Sequence, residues 1–331
     1  MKLKSLLRSL APSKVSQQTD ISREDWFRMI YQSDPTRAEL EHLRKLSTIP
    51  RDGHGSSVLR ALIQGFDHQQ RATGFHIRFS IEDIEYANVQ GNHVAIDRMD
   101  PSVGAPLKSG AFEPHLIQFF QTHLKPGMTF VDIGANMGTY SMLAAGLVGE
   151  SGRVLSFEPN SENCRLILLG ARRNEFQNIE LFPFGLGSAK GHMLFATHVG
   201  SNGGVISNSQ SALENPTCVV IPVFRLDEVL HDRFDCLKID VEGAEGLVMQ
   251  GAMRLIEAHR PIITSEFSLE MLRRVSGMSG EAYLRLFADR GYLVHLIDRE
   301  TRALVPVPDV EAFVKTYGEL GRIEDMAFLP Q

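Results

Sequence analysis

Thr129-Phe-Val-Asp-Ile-Gly-Ala-Asn-Met-Gly-Thr-Tyr-Ser141 is the stretch on which the reading of the whole chain turns. The breakers Lys125-Pro126-Gly127 stand ahead of it, and its first five residues have the length and apolar character of a buried strand. A helical run over 140–148 follows, so Gly134 and Gly138 fall in the corner between strand and helix. Glycines in such a corner let the chain turn tightly and bring backbone N–H groups close to a ligand. The corner lacks the middle glycine of G-x-G-x-x-G, which leaves a dinucleotide pyrophosphate less open backbone to approach. Asp132, just before the turn, would repel a pyrophosphate and suits a ligand bearing an ammonium or sulfonium group.

Downstream the alternation continues. Strands are expected over 153–158, 179–184, 219–223, 236–241, 261–267, 292–297 and 326–329. Helices are expected over 163–174, 246–259 and 280–290, with a short amphipathic piece at 226–230. This order implies an α/β fold with a parallel sheet covered on both faces. Ligands of such sheets lie beyond the carboxyl ends of the strands, at a topological switch point. Phe157-Glu158-Pro159 therefore places Glu158 to accept hydrogen bonds from ribose hydroxyls. Asp132 and Glu158 together describe a pocket for a nucleoside with a cationic, phosphate-free tail, which fits S-adenosylmethionine better than NAD.

Leu237-Lys-Ile-Asp-Val-Glu-Gly-Ala-Glu245 puts Asp240 at the carboxyl edge of a further strand, with Glu242 and Glu245 in the turn and helix start. Acids at that point also serve the helix dipole. The next strand ends in Ser265-Glu266-Phe267, which brings Glu266 toward the same cleft as Asp240. Paired carboxylates there can share a proton, take one from a substrate hydroxyl or hold a divalent cation.

Upstream the signals are weaker. A helix is expected over 113–124, a linker over 100–110, and a small hairpin or meander within 75–96, where Asn88 to Asn92 enclose a glycine. Residues 23–70 are patterned as helix. Residues 1–19 contain no acid, and Leu3, Leu6, Leu7 and Leu10 form one helical stripe. That segment reads either as a solvated terminus or as a basic amphipathic helix lying on an anionic membrane surface, and it lacks the apolar core of a secretory signal. The chain is divided at 110, with an N-terminal segment over 1–110 and the main domain over 111–331.

With 331 residues, 43% apolar and 22% charged, the chain has the composition of a folded globular protein. Its net charge of −6 argues against wholesale nucleic-acid binding, which rests on cationic contacts to phosphate. Three cysteines without a CxxC pair point to a reducing compartment and away from a disulfide framework or a soft-metal site. Asp240 with Glu266 supplies at most two oxygen ligands, so no obligatory metal is expected.

The sequence resembles the FkbM family of S-adenosylmethionine-dependent methyltransferases. The matching stretches are 130–141, Phe157-Glu-Pro-Asn160, Leu226-Asp-Glu-Val-Leu230 and 237–245, together with Glu113-Pro114 and 261–266. The resemblance covers about 112–330, and their order and spacing carry it. It implies a doubly wound, Rossmann-like seven-stranded sheet whose last strand, 326–329, is antiparallel, behind a smaller N-terminal α+β extension. It implies methyl transfer to a hydroxyl oxygen of a sugar, glycolipid or polyketide-like acceptor. Carried over by position, Asp132, Gly134, Ala135, Asn136, Gly138 and Tyr140 meet the methionine end of the cofactor, Glu158 its ribose, and Gly185 the adenine region. Phe182-Pro-Phe-Gly-Leu-Gly187 offers no acid there, so adenine contact would come from backbone groups and apolar stacking.

Asp240 is expected near the reacting centre, as a cofactor or acceptor contact, with Glu242 and Glu266 as candidate bases. The stretch 187–215, rich in Ser, Gly and Asn and carrying His192 and His198, is expected to be a loop over the cleft. A cytoplasmic location, peripheral at the inner face of the membrane if residues 1–19 anchor it, and a homodimer complete the expectations. Two other readings are a catalytically silent cofactor-binding scaffold of a glycan-assembly complex and a nicotinamide-dependent oxidoreductase.

Overall fold

The computed structural model describes residues 84–98, 100, 102–197, 203–206, 213–214, 218–318 and 322–331. The basic stretch 1–19 and the helical pattern over 23–70 lie outside these residues. The described part opens with an antiparallel hairpin, β1 (Ile84–Val89) and β2 (Asn92–Asp97). Its two-residue turn, Gln90-Gly91, has positive φ at both positions, the twist that matches right-handed strands. The expected linker over 100–110 instead contains a short helix, α1 (Gly104–Ser109), ended by Gly110 in the left-handed region. Pro106 sits in its first turn, where a missing N–H costs no hydrogen bond, so the residues that read as breakers frame a helix.

After α2 (Pro114–His123) the alternation begins: β3 (Thr129–Ile133), α3 (Thr139–Val148), β4 (Arg153–Phe157), α4 (Ser161–Arg173) and β5 (Ile179–Phe182). An insert follows, made of β6 (Gly185–Leu186), β7 (Gly191–Thr197), β8 (Gly203–Ile206) and β9 (Cys218–Phe224). The main sheet resumes with α5 (Leu226–Val229), β10 (Cys236–Ile239), α6 (Glu245–Gln250), α7 (Met253–His259) and β11 (Ile262–Phe267). Then come α8 (Leu269–Val275), α9 (Gly280–Ala288), β12 (Tyr292–Ile297), β13 (Leu304–Pro306), α10 (Val310–Gly318) and β14 (Glu324–Pro330).

The main sheet has the order β13-β12-β14-β11-β10-β3-β4-β5. β11, β10, β3, β4 and β5 pair in parallel, and β14 runs antiparallel between β11 and β12. Chain order reverses between β3 and β10, which makes that gap the switch point. Seven of the eight expected strands form this sheet and β13 adds another at its edge, while the strand expected over 219–223 falls in the insert as β9. The helix expected over 246–259 is broken into α6 and α7 at Gly251-Ala252. A Cβ at Gly251 would collide with the carbonyl oxygen of Gly187, so the insert's root passes directly over the break.

The strands are buried on both faces, as a covered parallel sheet requires. Val131, Ile133, Leu155, Phe157, Leu237 and Ile239 share one core with α6, α7 and α9, whereas Phe130, Val154 and Cys236 pack on the other side with α2 and α3. A third cluster joins the hairpin to α4, through Val94, Ile96, Leu166 and Ile167. The segment expected as a loop over 187–215 contains strands β7 and β8 of a separate sheet ordered β6-β9-β7-β8. Its polar composition hid the alternation Met193-Phe195 on β7, which joins Ile221 and Val223 of β9 along the same cleft. No helix of the described residues is long and apolar enough to cross a membrane.

Candidate active site

The carboxyl ends of β3, β4 and β10 continue past their last strand residues as a hydrogen-bonded shelf. Asp240 N–H donates to the Ile133 carbonyl at 3.0 Å, Gly134 N–H to the Phe157 carbonyl at 3.0 Å, and Glu158 N–H to the Phe182 carbonyl at 3.1 Å. Gly134 has φ 76°, and a Cβ there would strike the Asp240 carbonyl oxygen, so the switch point closes only around glycine. A cleft of about 210 Å³ opens above this shelf. Gly134, Ala135, Asn136, Tyr140, Glu158, Gly185, Asp240, Glu242 and Glu266 all line it, so one cavity gathers nine residues singled out from the sequence.

Asp132 and Gly138 do not line the cleft. Asp132 is fully buried within β3, side by side with Lys238 of β10 and Ser156 of β4. Alternation along β3 puts Asp132 on the face of Phe130, where its register partner Lys238 also lies. Asp132 Oδ2 accepts the Ser141 hydroxyl at 2.6 Å, and Oδ1 has no hydrogen-bond partner among the described residues. Burial raises its pKa and the ammonium of Lys238 opposes the rise.

Glu158 is held from three sides. Its carboxylate oxygens accept the backbone N–H groups of Asn136 and Asn160, each at 2.8 Å, and the side chain of Asn163 adds a third bond. A carboxylate offers about four acceptor sites, so roughly one remains for a ligand hydroxyl. Burial lifts its pKa to about 7, against the pull of those donors. Asn136, at φ 52°, takes the left-handed turn that delivers its N–H to Glu158.

Lys238 is the one cation lining the cleft among the described residues. Its Nζ lies 3.0 Å from Asp240 Oδ2 and 5.0 Å from the centre of the Tyr140 ring. Asp240, Asp132 and Glu113 raise its pKa against the effect of burial, so it stays charged. Tyr140 donates its hydroxyl to Glu113 Oε2 at 2.5 Å.

The three carboxylates of the 237–245 turn and of β11 differ in kind. Glu245 accepts the N–H groups of Val241 and Gly243 at 3.0 and 3.1 Å, which makes it a cap for the turn. Glu242, at φ 54°, is half-buried in the cleft with its pKa raised by burial and by Asp240. Glu266 has its pKa pushed far above the carboxylate range by burial and then by Asp240 and Glu242. The direction of that shift favours the protonated carboxyl, which can donate a hydrogen bond, over the ionised form a base requires.

The far wall of the cleft is apolar and comes from Phe184, Leu186 and the facing row Met193, Phe195, Ile221 and Val223 of the insert. Phe184 also packs edge-on to Phe157 and Phe224. These residues, like Glu113 and Lys238, had no ligand role in the sequence reading; the alternation in β7 and β9 was the signal for the wall. His192 is exposed on β7, and His198 lies outside the described residues. Among the described residues no group of three or more His, Cys, Asp or Glu is placed to hold a metal ion.

The family profile described as Methyltransferase FkbM domain matches residues 132–294. No curated protein matches the chain. A methyltransferase FkbM from Methylobacillus flagellatus KT is 15% identical, with 88% of this chain and 59% of that one covered at a TM-score of 0.39. Aeropyrum pernix fibrillarin, solved with natively bound S-adenosyl-L-methionine, is 12% identical, with 62% and 68% covered at 0.37. A SAM-dependent O-methyltransferase from Thermotoga maritima is 11% identical, with 75% and 78% covered at 0.38. This chain spans 59% of the length of the Methylobacillus structure.

Proposed function

We propose that the chain, whose residues 132–294 match the methyltransferase FkbM domain, uses S-adenosylmethionine to methylate a hydroxyl oxygen of a sugar, glycolipid or polyketide-like acceptor. The observation that supports this reading is the composition of the cleft: Glu113, Glu158, Asp240 and Glu242, with the carboxyl of Glu266, against one cation among the described residues, Lys238. That lining fits a positively charged nucleoside and repels a diphosphate. When bound, S-adenosylmethionine supplies a methyl group on a positively charged sulfur. The backbone at 134–136 and Glu158 hold the cofactor, Glu158 through its one remaining acceptor site. The apolar wall around Phe184 offers a face for the adenine.

The rest of the work is positioning and proton removal. Holding an acceptor oxygen in line with the methyl carbon is worth much of the barrier in such displacements. Asp240, fixed by Lys238 at 3.0 Å, and Glu242 are the carboxylates placed to take the hydroxyl proton. A base in that role contributes ~10²–10⁴-fold. Protonated Glu266 orients the acceptor by donating a hydrogen bond.

The test is mass spectrometry of glycans and glycolipids from cells with and without this chain, after feeding methyl-labelled methionine. Label in an O-methyl ether that disappears with the protein is the expected result. Label lost only from N-methyl or C-methyl groups overturns the reading.

A further inference from the structure

Glu113 occupies an unusual position for a glutamate. It precedes Pro114 at the start of α2 with φ 38° and ψ 56°, a left-handed conformation that L residues other than glycine adopt at a cost. A residue before proline is further restricted toward extended conformations. The strain is not repaid by capping, because the side chain makes no hydrogen bond to the helix it opens. The side chain instead enters the cleft and accepts the Tyr140 hydroxyl through Oε2 at 2.5 Å. Backbone strain of this kind at a cleft is an observation from which function can be inferred.

Tyr140's proton is committed to this bond. Its oxygen therefore faces any ligand with lone pairs only, made more negative by the carboxylate behind it. Lys238 is shared among Glu113, Asp132 and Asp240, the last at 3.0 Å, so acids outnumber it here. Burial raises the pKa of Glu113, and the Lys238 ammonium and the Tyr140 hydroxyl oppose the rise.

We infer that Glu113 and Tyr140 form a charge-reading pair that favours the sulfonium of S-adenosylmethionine over the neutral thioether of S-adenosylhomocysteine. This rests on the reading that the cofactor fills this cleft. Both molecules share the nucleoside, the amino group and the carboxylate, and differ only in the methyl and the charge on sulfur. A pair that senses that charge releases the spent cofactor without a separate opening step.

Isothermal titration of the full chain with S-adenosylmethionine, S-adenosylhomocysteine and sinefungin, which carries an ammonium in place of the sulfonium, tests the inference. Glu113→Gln and Tyr140→Phe should each weaken the two cationic ligands about tenfold, the loss of one charge-assisted contact, and change the thioether less than twofold. Equal loss for all three, or no loss, overturns the pair's role. Thermal unfolding identifies a variant that fails to fold, and the other variant then decides. Should neither fold, the wild-type chain decides: sinefungin bound no tighter than the thioether overturns the inference. Wild-type protein that binds none of the three removes the underlying reading of the cleft, a distinct result.

Discussion

Asp132 and Lys238 are register partners on neighbouring parallel strands, and both are buried, at 0% and 4% exposure. An acid and a base side by side in a sheet interior act as a unit. Lys238 keeps Asp240 at 3.0 Å as its ion-pair partner, so removing Asp132 costs the charge-assisted Ser141 hydrogen bond at 2.6 Å and part of the balance around Lys238. Asp132→Ala should therefore lower unfolding free energy by about 2–4 kcal/mol in urea. Asp132→Asn, which keeps the shape and the Ser141 contact, should stay folded and bind S-adenosylmethionine within a few-fold of wild type. Loss of binding by a folded Asp132→Asn protein would restore this residue to the ligand.

Gly134→Ala combines a positive φ with a collision against the Asp240 carbonyl. The variant should lose at least about 2 kcal/mol of stability, or fail to fold, because β3 and β10 must part to admit a methyl group. Soluble yield and urea midpoint measure this.

The folded pKa of Glu158, about 7, exceeds the ordinary carboxylate value. Between the two, the folded state binds the extra proton, so this group's stabilisation is complete at low pH and is lost as pH rises through about 7. A ribose hydroxyl prefers to donate to the ionised form, so cofactor affinity should rise over the same interval. Glu158→Gln should flatten both dependences, measured by melting temperature and by titration calorimetry from pH 5.5 to 8.5. An unchanged pH profile in the variant would assign the effect to another group.

Glu266→Gln replaces a protonated carboxyl with a neutral amide of similar shape. Since the folded pKa of Glu266 is raised, wild type loses stability from about pH 4.5 upward, and the variant should gain relative to it as pH increases. Melting curves of both proteins from pH 5 to 9 check this. Glu242→Gln, by contrast, should leave cofactor affinity within a few-fold and lower O-methyl label in cells.

The alternation of strands and helices was legible because its signals are local. Five apolar residues, a glycine corner and a helical stripe each lie within one element. The parity of β3 also placed Asp132 on the face of Phe130, since residues two places apart in a strand share a face. Glu113 was not legible as a cleft residue. Its contact with Tyr140 spans 27 positions and depends on a left-handed turn that no residue pattern announces. The raised pKa of Glu266 likewise arises from burial and then from Asp240 and Glu242 on other segments, which only the assembled fold brings about. The polar composition of 187–215 concealed β7, in which Leu194, Phe195 and Ala196 are buried while Gly191 and His192 are exposed.

The insert departs at Gly185 and returns at Arg225, and its root is tied at one spot. Gly187 N–H donates to the Phe224 carbonyl at 2.9 Å, and Arg225 Nη1 to the Ser188 carbonyl at 2.9 Å, over the gap at Gly251. Everything beyond that knot is a detachable panel: exchanging it between relatives would reshape one side of the chamber while the donor's cradle stays untouched. A lineage with such an architecture can diversify what it decorates by swapping a single cassette.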